Sequence, residues 1–168
     1  MEKEIIINPK YELKEYFKVN LYLAFSTLPY KIFSFFIIIM FLLMLVNILL
    51  GTMNELLFEP VHLIIILYPL IAIYLIYLRT KKSLQNPKLK EAVTMKFNNS
   101  FFEEIGQTYN NIKYDWKEIY SIKETNKWFL IFIQKKQAKV IIKSDLKENQ
   151  YNELKELLSL LNIKKSLK

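Results

Sequence analysis

The sequence predicts an α+β membrane protein: two transmembrane helices in a hairpin, followed by an antiparallel β domain with a C-terminal capping helix. Three observations predict it. Two apolar runs carry no charged residue over lengths that can cross a bilayer, short strand-like runs recur about every ten residues after Pro87, and an amphipathic stripe closes the chain.

Residues 1–31 read as a cytoplasmic N-terminal strand and amphipathic helix. Glu4 to Asn8 is a brief β-like run stopped by Pro9, and Tyr11 to Leu28 then has apolar residues at 13, 16, 17, 21, 24, 25 and 28, a helical spacing. Its polar positions mix Lys14 and Lys18 with Glu12 and Glu15, so charge alone does not lay it on anionic lipid. Packing on the soluble domain is an equal alternative.

Residues 32–78 form the hairpin. The first span, 32–50, is nineteen uncharged residues, and the second, 61–78, is eighteen with one histidine. At about 1.5 Å per residue each helix covers roughly the 30 Å hydrocarbon core. The outer loop 51–60 contains Gly51, Pro60, Glu55 and Glu59 and no basic residue, whereas Lys31, Arg79, Lys81 and Lys82 flank the inner ends. The positive-inside rule therefore places both termini in the cytoplasm of a multi-pass plasma-membrane protein. A cleaved leader is not expected, because thirty-one residues with four glutamates precede the first run and no small-residue cleavage site follows it. The competing reading, buried core helices of a soluble protein, sits poorly with two such runs in 168 residues.

Asn47 and His62 form a possible intramembrane polar pair, each near the outer end of its span. One reading is a proton or ion site; the preferred one is interfacial hydrogen bonding, because neither lies near the midplane. Pro69 stands at the centre of the second span, where its missing N–H is expected to bend the helix. Tyr30, Phe33, Tyr74 and Tyr77 suit an interfacial aromatic belt.

The charge is divided. Residues 1–78 hold five lysines against six acids, and residues 79–168 hold nineteen basic groups against ten, so −1 becomes +9 on one side of the membrane. Within the basic linker 79–91 and the domain beyond it, Lys81, Lys82, Lys88, Lys90, Lys135, Lys136 and Lys139 are possible lipid-headgroup contacts. Each lysine near an anionic leaflet contributes about 1 kcal/mol. The alternative is a solubilising face, since strand turns are often lysine-rich. Every basic residue except Arg79 is lysine, and Ile, Asn and Lys are heavily used, a composition that hints at an AT-rich bacterial genome.

Residues 92–168 form the cytoplasmic domain. The strand-like runs are 93–97, 101–105, 111–116, 119–124, 128–133 and 138–143, separated by polar turns at Asn98-Asn99, Gly106-Gln107, Glu124 to Lys127 and 135–137. A meander is the simplest topology. Asp145 with Glu148 has capping-box spacing, and Tyr151, Leu154, Leu157, Leu158 and Leu161 give the final helix its apolar stripe. A bent six-stranded sheet with a helix over its open end is the architecture of a pleckstrin-homology-like (PH-like) barrel.

Over nearly the whole chain the sequence resembles the YcxB-like proteins of bacteria. Leu13-Lys14-Glu15-Tyr16 sits at the family's entry motif, VTMKFNNSFFEEIG resembles its first hairpin, and Tyr114-Asp115-Trp116-Lys117-Glu118-Ile119 resembles its Trp-acidic/basic-Ile signature. Lys139 to Lys143 resembles the last strand, with Ile142 where the family commonly has proline. The resemblance implies a PH-like fold on a membrane hairpin, in a family without an established activity.

The chemistry available is sparse. There is no cysteine, one histidine, two aspartates and two glycines, which leaves no zinc site, phosphate loop or nucleophilic triad to assemble. No catalytic residue, metal or cofactor is expected. Trp116, Tyr120, Trp128 and Phe129 among lysines invite a base-stacking reading, but alternate strand residues face inward and lysine dominates arginine, so no nucleic-acid partner is expected. The expectation is a non-enzymatic membrane protein presenting an interaction module to a protein partner. The alternative is a sensor of anionic headgroups, and behind it an enzyme or small transporter.

Overall fold

The computed structural model describes residues 4–10, 12–50, 60–135 and 137–168. Residues 51–59 of the expected outer loop 51–60 lie outside them, as do Lys136 and the side chain of His62. The chain divides into two compact units, residues 13–83 and residues 1–12 with 84–168.

The first unit is helical. Helices α1 (Leu13–Ser26), α2 (Leu28–Leu49) and α3 (Pro60–Leu84) follow in order. Pro29 at the first turn of α2 pre-sets its entry, and α3 runs on through Pro69. Both long helices extend past the predicted inner ends of the spans, so the first residues of the expected linker are helical. In α1 the buried residue is Val19, outside the predicted stripe, and most of the helix is half-buried. Two contacts one turn apart fix α1 to α3: Phe17 meets Tyr77 edge-on at 5.7 Å, and Asn20 Nδ2 donates to Thr80 Oγ1 at 2.9 Å. Thr80 is buried and returns its own hydroxyl hydrogen to the Ile76 carbonyl, so the polar clasp is satisfied. Phe33 on α2 meets Tyr68 on α3 at 4.5 Å.

The second unit is α+β, with mainly antiparallel sheets and a C-terminal helix. Strand β1 (Ile5–Ile7) is followed by the short helix α4 (Pro87–Lys90) and strands β2 (Thr94–Phe97), β3 (Phe101–Ile105) and β4 (Asn111–Asp115). Then come β5 (Ser121–Glu124), β6 (Trp128–Gln134), β7 (Gln137–Ile142), helix α5 (Glu148–Leu160) and β8 (Lys165–Ser166). The expected single meander is broken in two: one sheet is ordered β1-β2-β3-β4, the other β7-β6-β5-β8. Their inner faces and α5 enclose one core, containing Ile7, Phe97, Phe102, Phe129, Ile141 and Leu158.

The break between the sheets is made by the Trp signature. Asp115 accepts the Lys117 N–H at 2.9 Å and starts a 3-10 turn over Trp116–Glu118. Trp116 is buried, stacks near Phe97 and Phe102, and donates its indole N–H to the Asn98 carbonyl at 2.8 Å. Asn98 in turn accepts the Ser100 and Phe101 N–H groups, each at 2.9 Å, closing the β2–β3 turn.

The N-terminal strand is not an isolated segment. Ile5 pairs with Phe97 and Ile7 with Met95, antiparallel, so β1 is an edge strand of the first sheet although four helices intervene in sequence. The alternation is sharp: Ile5 and Ile7 are buried in the core while Ile6 faces out.

The capping box at Asp145 does not form. Asp145 ends a 3-10 turn and accepts the Lys10 N–H at 3.0 Å, and α5 starts after Lys147, whose N–H goes to Gln150 Oε1 at 2.9 Å. Gln150 Nε2 also donates to the Ile6 carbonyl at 2.7 Å, which ties the helix start to β1. Ile142, with φ −82° and ψ 123°, leads into that turn with the dihedral a proline would impose.

Gly106 has a packing reason. The Glu91 carboxylate lies under the 106–110 loop, accepting the N–H groups of Thr108, of Tyr109 at 3.0 Å and of Asn110 at 2.9 Å. Burial pushes its carboxyl up, but these three donors outweigh that and hold it below the usual range. A Cβ at 106 would stand 2.6 Å from Glu91 Cδ. Gly106→Ala is therefore expected to lower the thermal midpoint, because the added Cβ pushes the carboxylate off its three donors. A thermal midpoint unchanged from wild type would refute this.

Candidate functional site

The polar chemistry of the β domain gathers at two buried glutamates, each with a lysine from the β7 segment and a tyrosine. Burying a carboxylate is costly unless it is paired and hydrogen-bonded, so each such residue needs a structural explanation.

Glu104 on β3 is 2% exposed and forms an ion pair with Lys139 of β7 across the two sheets. Lys139 also lies 5.4 Å from the Tyr114 ring centroid. Burial and the Glu104 charge raise the Tyr114 phenol above its usual range, against the opposing effect of Lys139. Glu104 Oε1 has no hydrogen-bond partner among the described residues.

Glu124, the last residue of β5, is also 2% exposed and is the more heavily bonded. Its Oε1 accepts from Lys143 Nζ at 2.5 Å and from the Tyr151 hydroxyl at 3.0 Å. Its Oε2 accepts the Lys168 N–H at 2.8 Å and lies 3.8 Å from Lys155 Nζ. Lys143 also sits over the Phe129 ring at 4.9 Å, and Phe129 is fully buried. Burial pushes the Glu124 carboxyl up, yet the Lys143, Lys168 and Tyr151 hydrogen bonds and the Lys143 charge outweigh it and hold the group below the usual carboxylate range.

The segment following α5 is laid along this site. Ile122 N–H donates to the Lys164 carbonyl at 2.9 Å, and β8 pairs parallel with β5, Ile122 with Lys165 and Lys123 with Ser166. Ile163 and Leu167 are half-buried against the core. Lys165 Nζ caps the free end of α5, donating to the Ser159 carbonyl and to the Leu161 carbonyl at 2.6 Å. Two shallow grooves lie here: one of about 230 Å³ beside α5, bounded by Ile5, Asn99 and Leu160, and one of about 340 Å³ beside the segment that follows it, bounded by Trp116, Asp115 and Ile163.

The lysines singled out by charge are divided between the two units. Lys81 and Lys82 end α3 in the helical unit, Lys88 and Lys90 are exposed on α4, and Lys135 is exposed at the β6–β7 turn. Lys139 departs from the headgroup reading, because strand alternation turns it toward Glu104 rather than outward. Asn47 is half-buried in α2. Among the described residues no group of three His, Asp or Glu side chains is placed to hold a metal. The buried carboxylates were missed in the sequence because Glu104 and Glu124 sit in runs that look like ordinary half-exposed strands; only their period-two phase with Phe102 and Ile122 marks them as inward.

Residues 97–158 match the model of the family described as YcxB-like protein, the family that the sequence motifs resemble. The match starts on Phe97 of β2 and ends on Leu158 of α5, so β1, the helical unit and the segment with β8 fall outside it. No curated protein matches, and no solved structure matches.

Proposed function

We propose that this chain, a YcxB-like core joined to apolar helices, is a non-enzymatic integral membrane protein that presents a cytoplasmic PH-like interaction module. Helix α2 carries the proposal. Tyr30–Leu49 is long and apolar enough to cross a membrane, none of it is buried, and large side chains such as Phe35 at 61% and Leu43 at 54% are exposed around its circumference. In water such a surface is a liability, and in hydrocarbon it is a solvated one.

The β1–β2 ladder supports a two-span hairpin by a separate route. Strands paired residue by residue share one compartment, so the chain between Ile7 and Thr94 crosses any membrane an even number of times. If α2 crosses outward, α3 is the helix of sufficient length to return, and its uncharged run 61–78 suits it. Lys31, Arg79, Lys81 and Lys82 favour the cytoplasm for the β domain. A 4+4 pair of sheets closed by α5, with β8 a two-residue addition, supports the PH-like reading. Membrane lipids are then the immediate surroundings and a protein or peptide the functional partner.

The absence of native cysteine makes the topology directly testable. In intact cells a membrane-impermeant maleimide is expected to label Asn54→Cys and leave Ser83→Cys silent. The reverse pattern would overturn the orientation, and equal labelling of both would overturn the hairpin.

A further inference from the structure

We infer that the edge of β5 away from β6 is a docking groove for an extended lysine-bearing peptide, and that the chain's own residues 162–168 occupy it as a displaceable strap. The inference rests on reading the domain as an interaction module and adds the surface and the chemistry of the partner.

The occupant defines the groove. Along β5 the strap makes a parallel bridge only two residues long, with the Ile122 N–H bonded to the Lys164 carbonyl at 2.9 Å. Short parallel pairing at a sheet edge is weak by itself. Two apolar residues four apart, Ile163 and Leu167, enter the core only halfway. Specificity comes from acceptors aimed at the strap: the α5 carbonyls that take Lys165, Asn126 Oδ1 that takes Lys168 Nζ at 2.6 Å, and Glu124 Oε2 that takes the Lys168 N–H at 2.8 Å.

Glu124 divides its labour between its two oxygens. Oε1 is satisfied by Lys143 and Tyr151, while among the described residues the hydrogen bond on Oε2 comes from the strap, with Lys155 at 3.8 Å beside it. Removing the strap leaves an unpaired strand edge ending at a buried carboxylate oxygen, a combination that selects an extended segment bearing N–H or ammonium donors. The strap lies outside the family match, which ends at Leu158.

The test uses the intact chain in nanodiscs and a variant ending after Leu161. A fluorescein-labelled peptide of sequence LNIKKSLK is expected to bind the shortened chain at least tenfold more tightly than the intact one. A peptide with serine in place of both apolar residues is expected to lose that binding tenfold. Equal binding to both chains, or no binding to a shortened chain that keeps its thermal transition, overturns the inference. Hydrogen exchange on the intact chain gives an independent reading if the shortened chain does not fold. The Ile122 amide is expected to exchange at least a hundredfold faster than amides of β6, and equal protection would mean the strap is a fixed strand. Either failure leaves the cysteine-labelling result standing, so the strap and the membrane topology fall separately.

Discussion

Replacing Glu124 with alanine is expected to destabilise the β domain by about 3–5 kcal/mol, because it leaves the Lys143 ammonium and the Tyr151 hydroxyl facing a buried gap. In a domain of this size that is a fall of more than about 10 °C in thermal midpoint. The same carboxylate gives stability a pH dependence of defined sign. Its folded pKa lies below its unfolded one, so its contribution is present above the unfolded value, about 4.3 for glutamate, and is lost as pH falls through the folded value. Glu124→Gln removes that titration. The gap in midpoint between wild type and Glu124→Gln is therefore expected to narrow between neutral pH and pH 3, and a constant gap would contradict the assignment.

A fragment of residues 84–168 is expected not to reach the native fold, because it lacks β1. Met95 and Phe97 would lose their ladder partners, and the core would lose Ile5 and Ile7, 3% and 1% exposed. Burying each isoleucine is worth about 2–5 kcal/mol by the cost of truncating such residues to alanine, which together rivals the stability of a small domain. Joining residues 1–12 to residue 84 through a flexible loop is expected to restore a soluble, cooperative domain. Cooperative unfolding of 84–168 alone, seen by circular dichroism, would show β1 to be dispensable.

Much of this architecture is written in local pattern. The apolar runs, the strand series and the Leu stripe of α5 are each set by residues close in sequence, so period and polarity reveal them. What is set at a distance was not legible. The pairing of β1 with β2 spans four helices, and EIIIN carries no mark of the partner it will meet. The split into two sheets depends on Trp116 burying its indole and finding the Asn98 carbonyl, a tertiary bond invisible in YDWKEI. The helix start moved from Asp145 because Lys10 captures that carboxylate from the far end of the chain. At the candidate site, positive charge drew the eye to lysines, whereas the buried anions Glu104 and Glu124 organise two of them.

With α2 and α3 as the proposed spans, the long-range β1–β2 ladder would make membrane insertion and domain folding a single event. Ribosomal synthesis delivers β1 first, and its pairing partner exists only after α2 and α3 have been made. A chain whose second span failed to return would leave β1 and β2 in different compartments, with an apolar edge and an incomplete core on display. On the proposed topology the β domain would report on its own anchor: only a hairpin that returns α3 to the starting side lets β1 and β2 close the sheet.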